Sequence, residues 1–193
     1  MREIKLLALC GSLREGSNTA AVLRTIACEL LPPKVSLRTH PLHALALYDS
    51  DLDQGDPPPA VKALRQAIRE AEGVVIASPE ISHGMSGVLK NALDWLSSHA
   101  SHHPLKGKPV MPLCSSPFGT GGARAQLQLT ETLWAIEATP VSYPPVVVTH
   151  LGAKISEGRL THEATRQSLA HGILALEAMI RQAHVARLPL VWA

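Results

Sequence analysis

Short apolar runs alternate with stretches of helical periodicity along the chain. The runs lie at residues 3–9, 35–39, 74–77, 110–114 and 146–148, and helical spacing follows each one, at 18–31, near 61–71, near 88–96, near 129–136 and from Thr161 onward. Such alternation indicates parallel strands joined by right-handed crossover helices. The sequence therefore predicts an α/β fold with a doubly wound five-stranded parallel sheet and helices on both faces. Pro112 inside the fourth strand predicts a bulge.

Length and charge limit the class of protein. The chain has 193 residues and 46% hydrophobic residues, which suits a single globular domain spanning residues 1–193. A net charge of +2 is too small to favour nucleic acid or a membrane surface, and no apolar stretch approaches the length of a membrane span. Three cysteines without C-x-x-C spacing favour neither a disulfide framework nor a zinc site. We therefore expect a cytoplasmic protein without a metal.

Several polar stretches are interpreted as surface or structural residues. His99, His102 and His103 have no cysteine or carboxylate at ligand spacing nearby, so a solvated loop is expected rather than a metal site. The proline-bearing segment 40–59 is also expected to be solvated, including its acidic residues Asp49, Asp51, Asp53 and Asp56. A structural role is expected for Lys90, Asn91 and Asp94 on the third helix.

The first loop, residues 11–18, has the composition of an anion-binding turn. Hydroxyl, amide and guanidinium donors surround the start of the following helix, namely Ser12, Arg14, Ser17, Asn18 and Thr19. A helix N-terminus attracts anions through its free N–H groups and its dipole. Leu13 replaces the second glycine of a dinucleotide fingerprint, and Ser17 replaces the lysine of a triphosphate-binding loop. A single terminal phosphate fits this loop, as does an ordinary turn in which Ser17 or Asn18 caps the helix.

Two later loops share this polar, glycine-bearing composition. The second loop is residues 78–86 and the third is residues 115–122, following the third and fourth predicted strands. Ligands of open parallel sheets bind beyond the carboxyl ends of the strands. The three loops are therefore predicted to form one pocket with a phosphate end and a flatter end lined by amide groups.

The loops and the helices after them resemble a known family. The resemblance rests on Gly11-Ser12-Leu13-Arg14 with Gly16-Ser17-Asn18, on Pro79-Glu80 followed by Gly87-x-Leu89-Lys90-Asn91-Ala92-x-Asp94-Trp95, on Gly121-Gly122-x-Arg124-Ala125-Gln126, and on Gly158-Arg159-Leu160-Thr161. In this order they resemble the flavodoxin-like NAD(P)H-dependent FMN reductases, which include quinone, azo-dye and chromate reductases. The resemblance implies the strand order 2-1-3-4-5.

The resemblance also implies FMN as cofactor and the residues that contact it. Ser12, Arg14, Ser17, Asn18 and Thr19 would lie at the phosphate, Pro79, Glu80, Ile81 and Ser82 at the isoalloxazine, and Ser115, Ser116, Pro117 and Gly119 at its pyrimidine edge. FMN would carry the chemistry, so no catalytic side chain is assigned. Glu80 is expected to position the loop. Family members usually have Pro-Glu-Tyr-Asn where this chain has Pro-Glu-Ile81-Ser82, so an aromatic and an amide are replaced.

The predicted function is transfer of hydride from NADPH or NADH through FMN to a flavin, a quinone or a similar small acceptor, in ping-pong order. A homodimer or homotetramer that roofs the flavin is expected, and Arg124 would either pair across the subunit interface or reach the pocket. One alternative is a flavodoxin-type electron carrier, which the near-neutral charge disfavours. The other is a binding or regulatory homologue without flavin, suggested by Ile81 and Ser82.

Overall fold

A computed structural model describes residues 2–98 and 103–186 and confirms the doubly wound sheet. Its strands are β1 (Ile4–Cys10), β2 (Val35–His40), β3 (Gly73–Ile81), β4 (Gly84–Met85), β5 (Pro109–Ser115), β6 (Thr139–Pro140), β7 (Val146–Val148), β8 (Ile155–Ser156) and β9 (Arg159–Leu160). The parallel order is β2-β1-β3-β5, and β6 and β7 both pair with the free side of β5. This is the predicted order with its last strand divided in two. The short strands β4 and β9 pair antiparallel with β3 and β8.

Helices cover both faces of the sheet. They are α1 (Asn18–Thr25), α2 (Pro59–Glu70), α3 (Gly87–Ser97), α4 (Ala123–Ala135) and α5 (Glu163–Ala186), and α1 continues as a π-helix over Ile26–Leu30. Side chains of successive strand residues point to opposite faces of the sheet, so they pack in two separate hydrophobic cores. Leu7 and Ile76 pack with α2, α3 and α4, whereas Ala8 and Val75 pack with α1 and α5. None of the described helices is long and apolar enough to cross a membrane.

Strand β5 contains Pro112 without the predicted bulge. Its pairing with β3 runs continuously from Val110 to Ser115. On its other side, β6 pairs with residues 109–110 and β7 with residues 113–115, so Pro112 lies opposite the break between them. The Gln126 side chain donates a hydrogen bond to the Pro112 carbonyl at 3.4 Å. The proline is tolerated because no adjacent strand requires its missing N–H at this break.

The acidic segment between β2 and α2 is not solvated throughout, which corrects the prediction for Asp53. This carboxylate is buried and accepts two hydrogen bonds from the Arg65 guanidinium, at 2.7 and 2.9 Å. Burial acts to raise the pKa of Asp53, but hydrogen bonds from Arg65 and Ser98 and the guanidinium charge lower it overall. A charge is buried here because a partner neutralises it. The carboxylates of Asp49, Asp51 and Asp56 are exposed, as predicted.

Helix α3 fixes the same segment. The Asn91 amide and the Trp95 indole both donate to the Ala46 carbonyl, at 2.8 and 2.9 Å, and the Asn91 oxygen accepts from the Tyr48 N–H at 2.7 Å. Lys90 and Asp94 form an ion pair at 2.6 Å. The predicted structural role of Lys90, Asn91 and Asp94 is confirmed.

Candidate functional site

The three loops line a single cleft at the carboxyl ends of β1, β3 and β5. Its volume is about 410 Å³, within the range of small-molecule sites. Every residue predicted to contact the cofactor lines this cleft except Gly119. Three lining residues were not predicted from the sequence, namely Phe118, Leu151 and Gly152.

The first loop packs tightly against the second at Gly11. The Gly11 N–H donates to the Ala77 carbonyl at 2.8 Å. A β-carbon at position 11 would lie 2.6 Å from the Ser86 hydroxyl oxygen and 3.2 Å from Cδ of Pro79. Only glycine permits this approach, which brings the start of the first loop against the second.

Ser17 begins helix α1 and faces the cleft. Its backbone is extended and its hydroxyl oxygen accepts a hydrogen bond from the Ala20 N–H at 3.1 Å, so it is the helix cap. Because Asn18 and Thr19 also line the cleft, the first turn of α1 is at the cleft wall. The two interpretations of this loop are therefore compatible, since a capped helix N-terminus is still an electropositive surface.

Thr19 joins the first loop to the third. Its hydroxyl oxygen lies 3.2 Å from that of Ser115, and both residues are buried. Arg14 is exposed and is the only cation among the described residues that line the cleft. The positive charge of the cleft is thus confined to its first-loop end.

The second loop contains a β-hairpin with a two-residue turn, formed by the end of β3 and by β4. Ile81 pairs with Gly84, and Ser82 and His83 between them have φ values of 47° and 66°. Two left-handed residues in succession form a type I′ turn, which normally uses Asn and Gly. Ser82 and His83 are not the usual residues of such a turn, so the hairpin was not predictable from the sequence. The hairpin is stabilised by Gln128 of α4, whose side-chain oxygen accepts from the Met85 N–H at 2.7 Å.

Glu80 caps helix α4. One carboxylate oxygen accepts hydrogen bonds from the backbone N–H groups of Arg124 and Ala125, at 3.1 and 3.2 Å. The residue preceding α4 is Gly122, which offers no side-chain cap. Glu80 therefore positions the second loop relative to α4, as expected. Arg124 does not line the cleft, and its guanidinium contacts Nδ1 of His83 at 2.7 Å.

The third loop turns sharply after β5. Gly122 has a φ of 90°, and a β-carbon there would lie 3.0 Å from the Ser115 nitrogen, so the turn requires glycine. The predicted contact Gly119 lies beside the His150 ring. A β-carbon added at position 119 would lie 3.5 Å from Nε2 of His150. Phe118 lines the cleft in its place, with 72% of its surface exposed.

The cysteine thiols near the cleft are buried and unreactive. Burial raises the pKa of the Cys114 thiol to about 12 and also raises that of Cys10. Both are small core residues. No cluster of three potential metal ligands exists among residues 2–98 and 103–186. His99 and His102 lie outside the described residues, so their predicted loop stays a prediction.

Comparison with known proteins identifies relatives along nearly the whole chain. Residues 4–153 match the family model described as NADPH-dependent FMN reductase. An NAD(P)H-dependent FMN reductase of Pseudomonas aeruginosa is 36% identical over 93% of this chain and 97% of its own. A quinone reductase of Escherichia coli is 38% identical over 88% of this chain and 94% of its own.

A solved structure also matches. The flavoenzyme FerB, an NAD(P)H:(acceptor) oxidoreductase from Paracoccus denitrificans, superposes with a TM-score of 0.82 and 27% identity, covering 93% of this chain and 98% of FerB. The family match, the relatives and the fold agree with one another. The chain therefore belongs to the NADPH-dependent FMN reductases, flavodoxin-like oxidoreductases that use FMN and NAD(P)H.

Proposed function

We propose that the cleft is the FMN site, with the phosphate at the first loop and the isoalloxazine between the second and third loops. The observation that carries this proposal is the convergence of the predicted cofactor contacts, from three separated parts of the chain, on one cleft. Ser12, Arg14, Ser17, Asn18 and Thr19 would hold the phosphate. Their donors suit a dianion, because hydroxyl and amide groups, the α1 N-terminus and one guanidinium act together.

The remaining predicted contacts fit a flat ring. Pro79, Ile81 and Pro117 offer apolar surface, and Ser82, Ser115 and Ser116 offer hydroxyls. Glu80 also lines the cleft, but its carboxylate accepts from two N–H groups of α4, which compensates its negative charge. The site can therefore bind an electron-rich ring without an unpaired carboxylate beside it.

We propose a quinone or a similar small molecule as the acceptor, following the activity named for the E. coli relative. When bound, FMN would supply the redox chemistry, namely hydride transfer from NADPH or NADH and delivery of the electrons to the acceptor in ping-pong order. The protein's own residues bind the phosphate, orient the ring and leave one side of the cleft open for two successive partners. No side chain is proposed as a nucleophile.

We propose that the chain forms a homodimer or homotetramer in the cytoplasm. Helix α4 exposes two large apolar side chains seven residues apart, Leu127 at 61% and Trp134 at 63%. Residues at this spacing lie on one helix face, so they offer an apolar surface for a second copy. The exposed free thiol of Cys28 is compatible with a reducing compartment. Sedimentation of the wild type and of Trp134→Ser tests the interface.

Reconstitution with FMN, followed by an activity assay, tests the proposed function. The purified protein is incubated with FMN, desalted, and examined by its visible absorbance and by oxidation of NADPH and NADH with a quinone. The proposal expects a yellow protein and quinone-dependent oxidation of the nicotinamide. A yellow protein that oxidises little nicotinamide would instead indicate an electron carrier, and a protein that stays colourless would indicate a flavin-less homologue.

A further inference from the structure

The chain contains one phenylalanine, and that residue is at the cleft. Phe118 has 72% of its surface exposed and lines the cleft. By contrast, Trp95 is fully buried and packs edge-on against Tyr48. Phe118 contributes nothing comparable to the core, and its exposed ring is available to contact a ligand.

The backbone of Phe118 is nevertheless fixed. Its N–H donates to the Ser116 hydroxyl oxygen at 3.2 Å, and its carbonyl accepts from the N–H groups of His150 and Gly121 at 3.1 and 3.3 Å. These three hydrogen bonds hold the residue while its ring stays in solvent. Because the backbone of Phe118 needs no further ordering, packing of a ligand on its ring costs less conformational entropy than packing on a mobile loop.

The cleft wall contributed by the second loop is also apolar. Ile81, at the end of the β3 side of the hairpin, is 56% exposed and lines the same cleft. Arg14 is the only cation among the described lining residues, and it belongs to the first loop. The described lining residues of the second and third loops, which include Ile81 and Phe118, therefore carry no positive charge that would attract an anionic acceptor.

We propose that Phe118 selects the acceptor, by packing its ring against planar, uncharged aromatic molecules such as naphthoquinones. This inference rests on the proposed FMN-dependent function and adds the residue that sets acceptor preference. The preferred reaction consumes one NAD(P)H, one proton and one quinone and yields NAD(P)⁺ and one hydroquinone. Ferricyanide, a highly charged anion without an aromatic face, gains nothing from Phe118.

The test compares two acceptors in four proteins. Wild type, Phe118→Ala, Phe118→Tyr and the control Leu174→Ala, whose leucine is exposed on α5 away from the cleft, are assayed with 1,4-naphthoquinone and with ferricyanide. Phe118→Ala should lower kcat/KM for naphthoquinone by about fivefold to tenfold, mainly through KM, as expected for loss of an aromatic contact. Phe118→Tyr should restore it. With FMN at saturation, Phe118→Ala should lose much less kcat/KM for ferricyanide than for naphthoquinone, and Leu174→Ala should change neither rate.

Three results would overturn the proposal. They are an unchanged naphthoquinone kcat/KM in Phe118→Ala, an equal loss for both acceptors, and a loss that accompanies dissociation of the oligomer in sedimentation. The last result would make Phe118 an interface residue. Failure of the wild type to bind FMN would instead refute the proposed function, so the two failures are distinguishable.

Discussion

The Glu80 carboxylate accepts a hydrogen bond from the backbone N–H of Arg124 at 3.1 Å, which joins the second loop to the first turn of α4. The same oxygen accepts from the next N–H, and 8% of the Glu80 side chain is exposed. A loop carboxylate from β3 therefore performs the role that a capping residue usually performs within its own helix. Together with Gln128, this side chain couples the cleft wall to α4.

Glu80→Ala should destabilise the fold through α4. Removing a helix-capping acceptor costs about 1 kcal/mol of unfolding free energy, measurable by urea denaturation. Glu80→Gln keeps an acceptor oxygen, so its unfolding free energy should fall by less. Glu131→Ala, on the exposed side of α4, is the matched control and should change stability little. A weaker FMN affinity in Glu80→Ala without any change in stability would contradict the capping role.

Arg14→Ala should weaken binding of FMN but not of riboflavin. Arg14 is the only cation among the described lining residues, and a charge-assisted hydrogen bond to phosphate is worth about 1.5–3 kcal/mol, or roughly tenfold to a hundredfold in Kd. Fluorescence quenching of each flavin measures the two affinities. Arg24→Ala, on the exposed side of α1, serves as the control. Equal weakening of both flavins would place Arg14 away from the phosphate.

The sequence predicted the sheet and the place of the cleft because both depend on local pattern. Continuous apolar runs located β1, β3 and β5, and the loops after parallel strands must meet at one edge. The capping role of Ser17 was also predictable, since it depends on residues three positions apart. These features need no knowledge of distant contacts.

The features that the sequence did not predict depend on residues far apart in the chain. Asp53 is buried because Arg65 of α2 neutralises it, and nothing in the acidic segment itself indicates that pairing. The hairpin at Ser82 and His83 lacks the usual turn residues and is stabilised by Gln128. Phe118 replaces Gly119 at the cleft because of contacts with residue 150. In each case a tertiary contact overrides the local signal.

Asp53→Ala should strongly destabilise the protein. It leaves the Arg65 guanidinium buried without its carboxylate, and breaking a buried pair costs about 3–5 kcal/mol. Urea denaturation measures the loss, with the exposed Asp51→Ala as control. The double variant Asp53→Leu/Arg65→Met should regain much of the lost stability, because neither position 53 nor position 65 then carries a buried charge. A loss below about 1 kcal/mol in Asp53→Ala would indicate that water reaches the guanidinium.

Glu29 should make stability depend on acidic pH. Hydrogen bonds from Arg159, at 2.8 Å, and from Arg166, at 2.9 Å, lower the pKa of Glu29 from 4.5 to about 2. Because the folded pKa lies below the unfolded one, this stabilisation is present above about pH 4.5 and is lost as the pH falls toward 2. Glu29→Gln removes the titrating group, so its urea midpoint should approach that of the wild type as the pH falls through this window. A constant difference between the urea midpoints of Glu29→Gln and the wild type from pH 2 to 7 would instead show that the two arginines do not stabilise the carboxylate in solution.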